Sequence, residues 1–404
     1  MASLLLAVIY VAFISLGLPD AMLGAAWPSM SQDLGAPLSW AGGISMVISA
    51  GTIVSALLSD RMTLRFGTGK VTAVSVGLTA AALAGFSIAP NYWVLMAFAI
   101  PYGLGAGGVD AALNNYVAIH YESKHMSWLH AMWGLGMLTG PYVMGYALGH
   151  GQGWGWGYRY ISIIQIVLTA LLIASLPLWK QRKATVAEHS GQSGESAESA
   201  ESVPAARKPL GIRGVLRIRG AKEILMMFFC YCAAEQTAML WASSYMVLGN
   251  GIDKTTAAMW AGFFGIGITA GRVLSGFLTM RFGDPIMIRI GQSVMFLGLI
   301  VLFVPLPAHA GTIAGLMLVG LGCAPIYPCV IHSTPDYFGE DKSQAIVGMQ
   351  MAFAYTGSML MPPLFGLLAQ NVTPRLYPWY LAVGLVVMVI MSESLHAKKA
   401  AEHR

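Results

Sequence analysis

Long apolar runs are the feature that most limits what this chain can fold into. These runs reach and exceed the roughly 20 residues that an α-helix needs to cross the hydrocarbon core of a bilayer. Because lipid cannot hydrogen-bond exposed backbone groups, runs of this length must form helices. Twelve such spans are predicted, near residues 4–29, 39–59, 70–89, 92–119, 127–149, 157–179, 223–248, 256–280, 285–306, 310–332, 344–370 and 376–395.

The composition excludes several functional classes. Of 404 residues, 56% are hydrophobic and 10% are charged, which leaves no soluble domain large enough for an enzyme active site. The sequence also lacks a Walker loop, a nucleophile elbow and a dinucleotide fingerprint, so we expect neither an enzyme nor an ATP-driven pump, and no metal or cofactor. The formal charge of +5 belongs to loops rather than to a soluble basic face, so nucleic acid is not an expected partner.

Lysines and arginines predict the orientation in the membrane. If both termini lie in the cytoplasm, almost all basic loop residues fall on the cytoplasmic side, and only Arg159, Lys254 and Arg375 fall outside. We therefore expect a multi-pass protein of the cell inner membrane with both termini in the cytoplasm.

A polar segment divides the chain. Residues 181–208 are rich in Ser, Glu, Ala and Gly, too polar to bury themselves, and are predicted to be largely disordered. Arg213, Arg217 and Arg219 alternate with apolar residues, so a short amphipathic helix on the inner leaflet is an alternative to a solvated linker there. The predicted units are an N-terminal six-helix bundle at 1–179, a cytoplasmic linker at 180–222, a C-terminal six-helix bundle at 223–396 and a cytoplasmic tail at 397–404.

The two halves repeat each other. Arg-Phe-Gly occurs at 65–67 and 281–283, and Gly-Leu-Gly occurs at 103–105 and 320–322. A glycine–proline–glycine series recurs with identical spacing at Gly136, Pro141 and Gly145 and at Gly357, Pro362 and Gly366. Matches in the same order indicate an all-α protein of 12 transmembrane helices arranged as two pseudo-symmetric bundles that rock about a midplane site, as in transporters.

This organisation resembles the major facilitator superfamily. The loop at 59–67, between the second and third spans, is a loose version of the superfamily's Gly-x-x-x-Asp-Arg-x-Gly-Arg-Arg motif, without its second glycine and its adjacent basic pair. The resemblance implies transport by alternating access, and it assigns Asp60, Arg61 and Arg65 to a cytoplasmic gate. Arg272, the arginine well inside a span, is assigned to the same gate, where its long side chain could reach water.

Three carboxylates lie deep inside apolar spans, at Asp20, Asp110 and Glu235. A charge in hydrocarbon costs at least about 2.5 kcal/mol, so such residues usually face a water-filled path or a partner. All three are the predicted proton-coupling residues. Alternatives exist for two of them. Asp20 follows Pro19 and could satisfy backbone groups freed by a kink, and Glu235 could pair with His130 or Arg272 as a structural bridge.

A narrower resemblance concerns these carboxylates. An acid in the first span, together with a Gly-rich fourth span in which Asp110 is followed four residues later by Asn114, is similar to the fucose:proton symporter branch. The resemblance implies a role for Asp110 in proton and substrate handling and a role for Asp20 in proton coupling. His130 and Trp133 stand where that branch has Gln and Asn at its sugar site, so fucose itself is not the expected substrate.

Hydroxylated molecules are bound by aromatic faces together with amide and carboxylate groups. Side chains of these kinds at suitable depth are the predicted substrate site, although for each aromatic residue core packing is the alternative. They are Trp27, Asn114, Asn115, His130, Trp133, Gln236, Trp241, Tyr327 and Gln350.

The sequence thus predicts a secondary transporter that couples protons to the symport of a neutral, hydroxylated small molecule. The expected partners are this substrate, protons and the lipid bilayer, and the protein is expected to work as a monomer. The main alternative is proton-driven export of drugs or metabolites, for which the cavity would be more apolar and would carry few amide or imidazole groups.

Overall fold

The computed structural model describes residues 2–121, 123–179, 212–279, 281–304 and 309–402. Most of the linker predicted at 180–222 therefore lies outside the described residues. The part that is described is helical and contains no strand. The helices are α1 Ala2–Gly17, α2 Met22–Asp33, α3 Trp40–Phe66, α4 Thr68–Ser87, α5 Tyr92–His120, α6 Ser123–Gly149, α7 Trp154–Ala174, α8 Ile212–Leu216, α9 Ala221–Ser244, α10 Lys254–Leu278, α11 Asp284–Phe303, α12 Ala310–Cys323, α13 Ile326–His332, α14 Thr334–Phe338, α15 Glu340–Asn371 and α16 Tyr377–Glu402.

The twelve predicted spans are confirmed as helical passes within the described ranges. Ten stretches are long and apolar enough to cross a membrane, and two of these are formed by α1 with α2 and by α12 with α13. The remaining passes are α3 and α6, each of 27 residues. Their apolar character is weaker because each carries charged or polar residues at one end, but neighbouring helices cover them on several sides.

The first pass is broken in its middle. α1 ends at Gly17, and α2 begins at Met22. Pro19 has no N–H to donate and disfavours a helical conformation at the residue before it. The backbone turns here with short-range bonds, in which the Asp20 N–H donates to the Gly17 carbonyl and the Met22 N–H donates to the Pro19 carbonyl, each at 3.1 Å. Asp20 thus lies in a gap between two helices.

The repeated glycines make the same contact in both halves. A Cβ at Gly136 of α6 would lie 2.1 Å from the carbonyl oxygen of Ile14 in α1, and a Cβ at Gly357 of α15 would lie 2.5 Å from that of Phe229 in α9. Only glycine allows helices to approach this closely. The fifth pass therefore packs on the first, and the eleventh on the seventh, as the sequence repeat requires.

A second glycine pair repeats the relation between the fourth and second passes. A Cβ at Gly103 of α5 would lie 2.2 Å from the Ile48 carbonyl oxygen in α3, and a Cβ at Gly320 of α12 would lie 2.2 Å from the Phe264 carbonyl oxygen in α10. Two six-helix bundles with the same internal packing result.

The halves meet tightly at one end of the molecule, which we call the closed end. The Ser243 hydroxyl of α9 donates to the Ala25 carbonyl of α2 at 3.3 Å, and a Cβ at Gly42 of α3 would lie 2.5 Å from the Pro363 Cα of α15. The opposite end is called the basic end, because the cations in or beside the terminal turns of its helices include Arg65, Lys70, Arg281 and Lys398.

Helices α6 and α10 run antiparallel across the boundary between the halves and separate towards the basic end. A Cβ at Gly265 would lie 2.9 Å from the Leu138 Cα, and a Cβ at Gly134 would lie 2.6 Å from the Thr269 hydroxyl oxygen. The same register continues to Gly276, yet no heavy atom of another segment lies within 4 Å of a Cβ built there. The two helices are therefore in contact at the middle and apart at the basic end.

Candidate functional site

A cavity of about 760 Å³ lies between the two halves. Helices α1 to α7 of the first half and α9, α10, α13 and α15 of the second supply its walls. Asp20, Asp110 and Glu235 all line it. The three carboxylates singled out by their cost in lipid thus face one cavity.

The cavity reaches the basic end. Its lining there includes the exposed residues Gly276, Thr279 and His332, whereas towards the closed end the lining consists of buried residues such as Leu23 and Met239. The inter-half packing around Gly42 and Ala25 blocks the path on that side. The described structure is therefore open at the basic end and sealed at the other.

Asp20 is held by side chains from two neighbouring helices. The Trp133 indole N–H of α6 donates to Asp20 Oδ2 at 2.7 Å, and the Tyr102 hydroxyl of α5 donates to Asp20 Oδ1 at 3.2 Å. The carboxylate binds these donors and not the backbone groups next to Pro19, which bond to one another. None of the ion pairs found among the described residues involves Asp20.

Asp110 is oriented by its own helix. The Asn114 amide donates to Asp110 Oδ1 at 2.9 Å and to the Asp110 carbonyl at 3.0 Å. Asn114 does not line the cavity, and its Oδ1 is buried without a hydrogen-bond partner in the described structure. This predicted substrate residue thus contacts the acid one turn away.

Glu235 faces Arg272 across the second half. Arg272 Nη2 lies 3.6 Å from Glu235 Oε1, with side-chain exposures of 15% and 10%. This separation exceeds a hydrogen-bond distance, and within the described part of the chain Arg272 Nη1 and Glu235 Oε1 have no hydrogen-bond partner. Arg272, predicted at the cytoplasmic gate, lines the cavity. Arg272 Nη1 and Glu235 Oε1 are both buried.

One row of contacts joins the two halves. The Arg272 guanidinium carbon lies 4.7 Å from the centre of the Trp133 ring, within the range of a cation–π contact. Trp133 in turn donates to Asp20, and Arg272 faces Glu235. We call these four residues, Asp20, Trp133, Arg272 and Glu235, the transverse row.

Part of the predicted substrate site lines the cavity. The members that do so are His130, Trp133, Gln236 and Tyr327. His130 also packs edge-on against Phe13, with ring centres 5.9 Å apart.

Trp27, Trp241 and Gln350 are fully buried outside this lining. The Trp27 N–H donates to the Leu38 carbonyl and the Trp241 N–H to the Pro362 carbonyl, each at 2.8 Å. Gln350 exchanges hydrogen bonds with a threonine hydroxyl of α14. A buried indole with a satisfied N–H is a packing group, which is the alternative that the sequence left open for the two tryptophans.

The predicted gate motif lies at the basic end. Arg65 is exposed, and its guanidinium carbon lies 5.3 Å from the centre of the neighbouring Phe66 ring. The side chains of Asp60 and Arg61, and that of Asn115 in the predicted substrate site, lie outside the described part of the structure.

Sequence reasoning missed many cavity residues. Tyr102 precedes Asp110 by eight residues, about two helical turns, so its place near the acids was open to detection from helical periodicity. The other missed residues are hydroxyl and aromatic side chains that are ordinary in apolar spans and carry no pattern of their own. They include Ser45, Ser49, Thr52, Phe86, Tyr158, Ser275, Thr279, Tyr355 and Ser358.

Comparisons with known proteins identify the family. The chain is 23% identical over 283 residues to "Bypass of stop codon protein 6" of Saccharomyces cerevisiae, a match that spans 67% of this chain and 56% of the yeast protein. It is 22% identical over 352 residues to "Membrane protein MosC" of Rhizobium meliloti, covering 86% and 79% of the two chains.

The fold is shared with solved structures. The inward-open xylose transporter XylE from E. coli matches with a TM-score of 0.72 and 15% identity, covering 98% of this chain and 99% of that one. The model of the Major Facilitator Superfamily matches residues 9–249 and 224–402. Because these matches include both six-helix halves and the helices that line the cavity, the chain belongs to the Major Facilitator Superfamily.

Proposed function

We propose that this protein is a proton-coupled symporter of a small, hydroxylated molecule. The observation that carries the proposal is the group of three carboxylates that face one cavity from both halves. An ionised carboxylate resists removal from water, whereas a protonated one does not. Closing the cavity around Asp110 or Asp20 is therefore easier when the carboxyl group is neutral, and protonation favours the closed state.

The chemistry of the wall supports a hydroxylated substrate. Glu235, Gln236 and Arg272 line the cavity and are residue types that can donate to or accept from a hydroxyl group. Tyrosine and tryptophan rings offer apolar faces beside these groups. The volume of about 760 Å³ is within the range of small-molecule sites.

Proton-driven export of a drug or metabolite is the second candidate. The cavity lining favours this candidate, because aromatic and aliphatic side chains predominate in it. Among the described lining residues, Gln236 is the one that carries a side-chain amide. Export and symport differ in the direction in which a proton gradient drives the substrate.

The orientation belongs to the proposal as well. With both termini in the cytoplasm, the basic end faces the cytoplasm, as the distribution of lysine and arginine favours. The protein then lies in a bacterial-type inner membrane with its open cavity facing the cytoplasm. The transporter in this state would release an imported substrate or collect one for export.

Uptake by reconstituted liposomes tests the proposal. Labelled sugars and other polyols are screened for uptake under an imposed pH gradient. Protease access to the linker distinguishes vesicles that carry the protein inside-out from those that carry it right-side-out. Symport predicts substrate movement in the same direction as protons, and export predicts opposite movement. Uptake that ignores the gradient in both orientations contradicts proton coupling.

Two acids provide a matched comparison in that assay. Asp20→Asn and Asp110→Asn are expected to lower gradient-driven uptake by at least about tenfold, which corresponds to about 1.4 kcal/mol. Asp33→Asn is the control, because Asp33 also accepts an indole N–H, from Trp154 at 2.9 Å, but lies at the closed end outside the cavity. Equal loss in all three variants would argue against a special role for the cavity acids.

A further inference from the structure

We propose that Trp133 is a positioning residue that transmits protonation of Asp20 in the first half to Arg272 and Glu235 in the second. The inference rests on the proposed proton coupling. It extends that coupling to a residue that contacts Asp20 in the first half and Arg272 in the second. Its indole N–H bonds Asp20 at 2.7 Å while its ring carries the Arg272 guanidinium at 4.7 Å. Among the described residues, the transverse row is the set of side-chain contacts that connects carboxylates of the two halves through the cavity.

The backbone of Trp133 cannot respond to a proton, but its side chain can. A Cβ at Gly17 would lie 2.1 Å from the Trp133 carbonyl oxygen, so α1 and α6 are in backbone contact at this level. The ring, by contrast, borders the cavity. A change at Asp20 is therefore expressed as rotation of the indole and not as movement of α6.

The hydrogen bond to Asp20 depends on charge. A bond from an N–H to an ionised carboxylate is roughly twice as strong as a bond to a neutral acceptor. When Asp20 takes a proton from water, the bond weakens and the ring is less firmly held. One O–H bond forms on the carboxyl group as one breaks in hydronium, which leaves as water, and the proton then remains on the carboxyl oxygen.

The effect on the second half follows from the other face of the ring. A cation–π contact requires the cation to stay over the ring within about 6 Å. If the ring turns, Arg272 loses that contact and can close the gap of 3.6 Å to Glu235 or bind a substrate group. Arg272 and Trp133 belong to α10 and α6, which are the helices that separate towards the basic end. Protonation at Asp20 thereby alters the contact between the halves where they move apart.

Other ionisable groups surround this row, and their pH dependence must be distinguished from that of the row. Those that line the same cavity from α5, α6, α7, α9, α13 and α15 are Tyr102, Asp110, His130, Tyr158, Cys232, Tyr327, His332 and Tyr355. Any of them can add a pH dependence of its own. The test therefore compares single variants of the row with variants that leave the row intact.

Spin-label distances between the halves provide a test that needs no substrate. Labels on Lys70→Cys and Lys342→Cys, both exposed at the basic end in different halves, report the opening by double electron–electron resonance. The four native cysteines are buried, and the unsubstituted protein serves as the labelling blank. Distance distributions are recorded between about pH 8 and about pH 5, a range that includes perturbed carboxyl titrations.

The expected result is a pH-dependent change in the wild-type distribution that is reduced by at least half in Asp20→Asn and in Trp133→Phe. Trp154→Phe is the matched control, since it removes the indole N–H that bonds Asp33 at the closed end, and it is expected to keep the full change. A Trp133→Phe protein that retains the change, while Asp20→Asn has lost it, overturns the role of Trp133. A wild-type distribution that does not respond to pH contradicts the proton-coupled function itself.

Arg272→Gln keeps the test decisive if Trp133→Phe does not fold. This variant leaves the bond between Trp133 and Asp20 intact but removes the cation from the ring. Loss of at least half of the pH response is expected, and a full response would overturn the proposal.

Discussion

Asp20 and Asp33 make the same contact in different surroundings. Each accepts an indole N–H, at 2.7 Å from Trp133 and at 2.9 Å from Trp154. Asp33 is exposed at the closed end, where water stabilises its charge, whereas Asp20 borders a cavity in the middle of the bundle. At the scale of single residues, the surroundings of a carboxylate and not its hydrogen bond distinguish a candidate proton carrier from a surface contact.

Asn114 provides a second comparison at the same scale. Because its amide bonds Asp110 and does not border the cavity, Asn114→Ala is expected to alter the pH dependence of uptake while changing the substrate KM by less than about threefold. The loss of a hydrogen bond to a charged group corresponds to about 1.5–3 kcal/mol. Uptake kinetics at several pH values measure both quantities, and a large rise in KM with an unchanged pH profile would return Asn114 to the substrate site.

The side chains at the site were only partly predictable from the sequence. Acids in apolar spans stand out because they are costly there, and Asp20, Asp110 and Glu235 were found for that reason. Trp27 and Trp241 were included for their chemistry, yet their N–H groups are used by backbone carbonyls. Which face of a helix a tryptophan occupies depends on the partner helix, and the sequence of one helix does not contain that information.

At the scale of helices, glycine spacing predicted more than hydropathy. The equal spacing of the series around Gly136 and Gly357 indicated duplicated packing, and both glycines meet a backbone carbonyl of the corresponding partner helix. Hydropathy alone gave a continuous first span, because Leu18 and Pro19 do not interrupt an apolar run. The break between α1 and α2 follows from proline's missing N–H and from backbone contacts that become visible only in three dimensions.

The packing role of Gly136 can be measured directly. Gly136→Ala is expected to destabilise the protein by about 1–3 kcal/mol, because the new methyl would lie 2.1 Å from the Ile14 carbonyl oxygen and the helices must shift. Gly384→Ala in α16 is the control, since nothing lies within 4 Å of a Cβ there. Thermal unfolding in detergent compares the two, and a similar melting temperature for both variants would contradict the close-contact role.

At the scale of the whole molecule, the two ends are sealed differently. The closed end has helix backbones in contact at Gly42 and Pro363, while at the basic end a Cβ at Gly276 of α10 would meet no other segment within 4 Å. The register between these helices brings Gly276 level with about residue 128 of α6. Under the alternating access proposed for this protein the gap at the basic end must close, and we expect the small residue Gly276 to lie where it closes.

Gly276→Leu is therefore expected to leave thermal stability within about 0.5 kcal/mol of the wild type, because the added side chain enters open space. Gradient-driven uptake is expected to fall by at least about tenfold, since the bulk blocks closure of the basic end. The spin-label distances at that end should remain in the open distribution. Normal uptake by a stably folded variant would show that closure does not pass through this position.

The broken first pass has a mechanical consequence. α1 packs mainly on helices of its own half, whereas α2 packs mainly on α9 and α10 of the other, to which the Ala25 carbonyl is tied by Ser243. One membrane pass is thus shared between two bodies that are expected to move against each other. The four turn residues 18–21 link the two parts of this pass, and Asp20 lies within the link. Proton uptake at Asp20, if it occurs as proposed, would therefore change the charge at the segment that joins the two bodies.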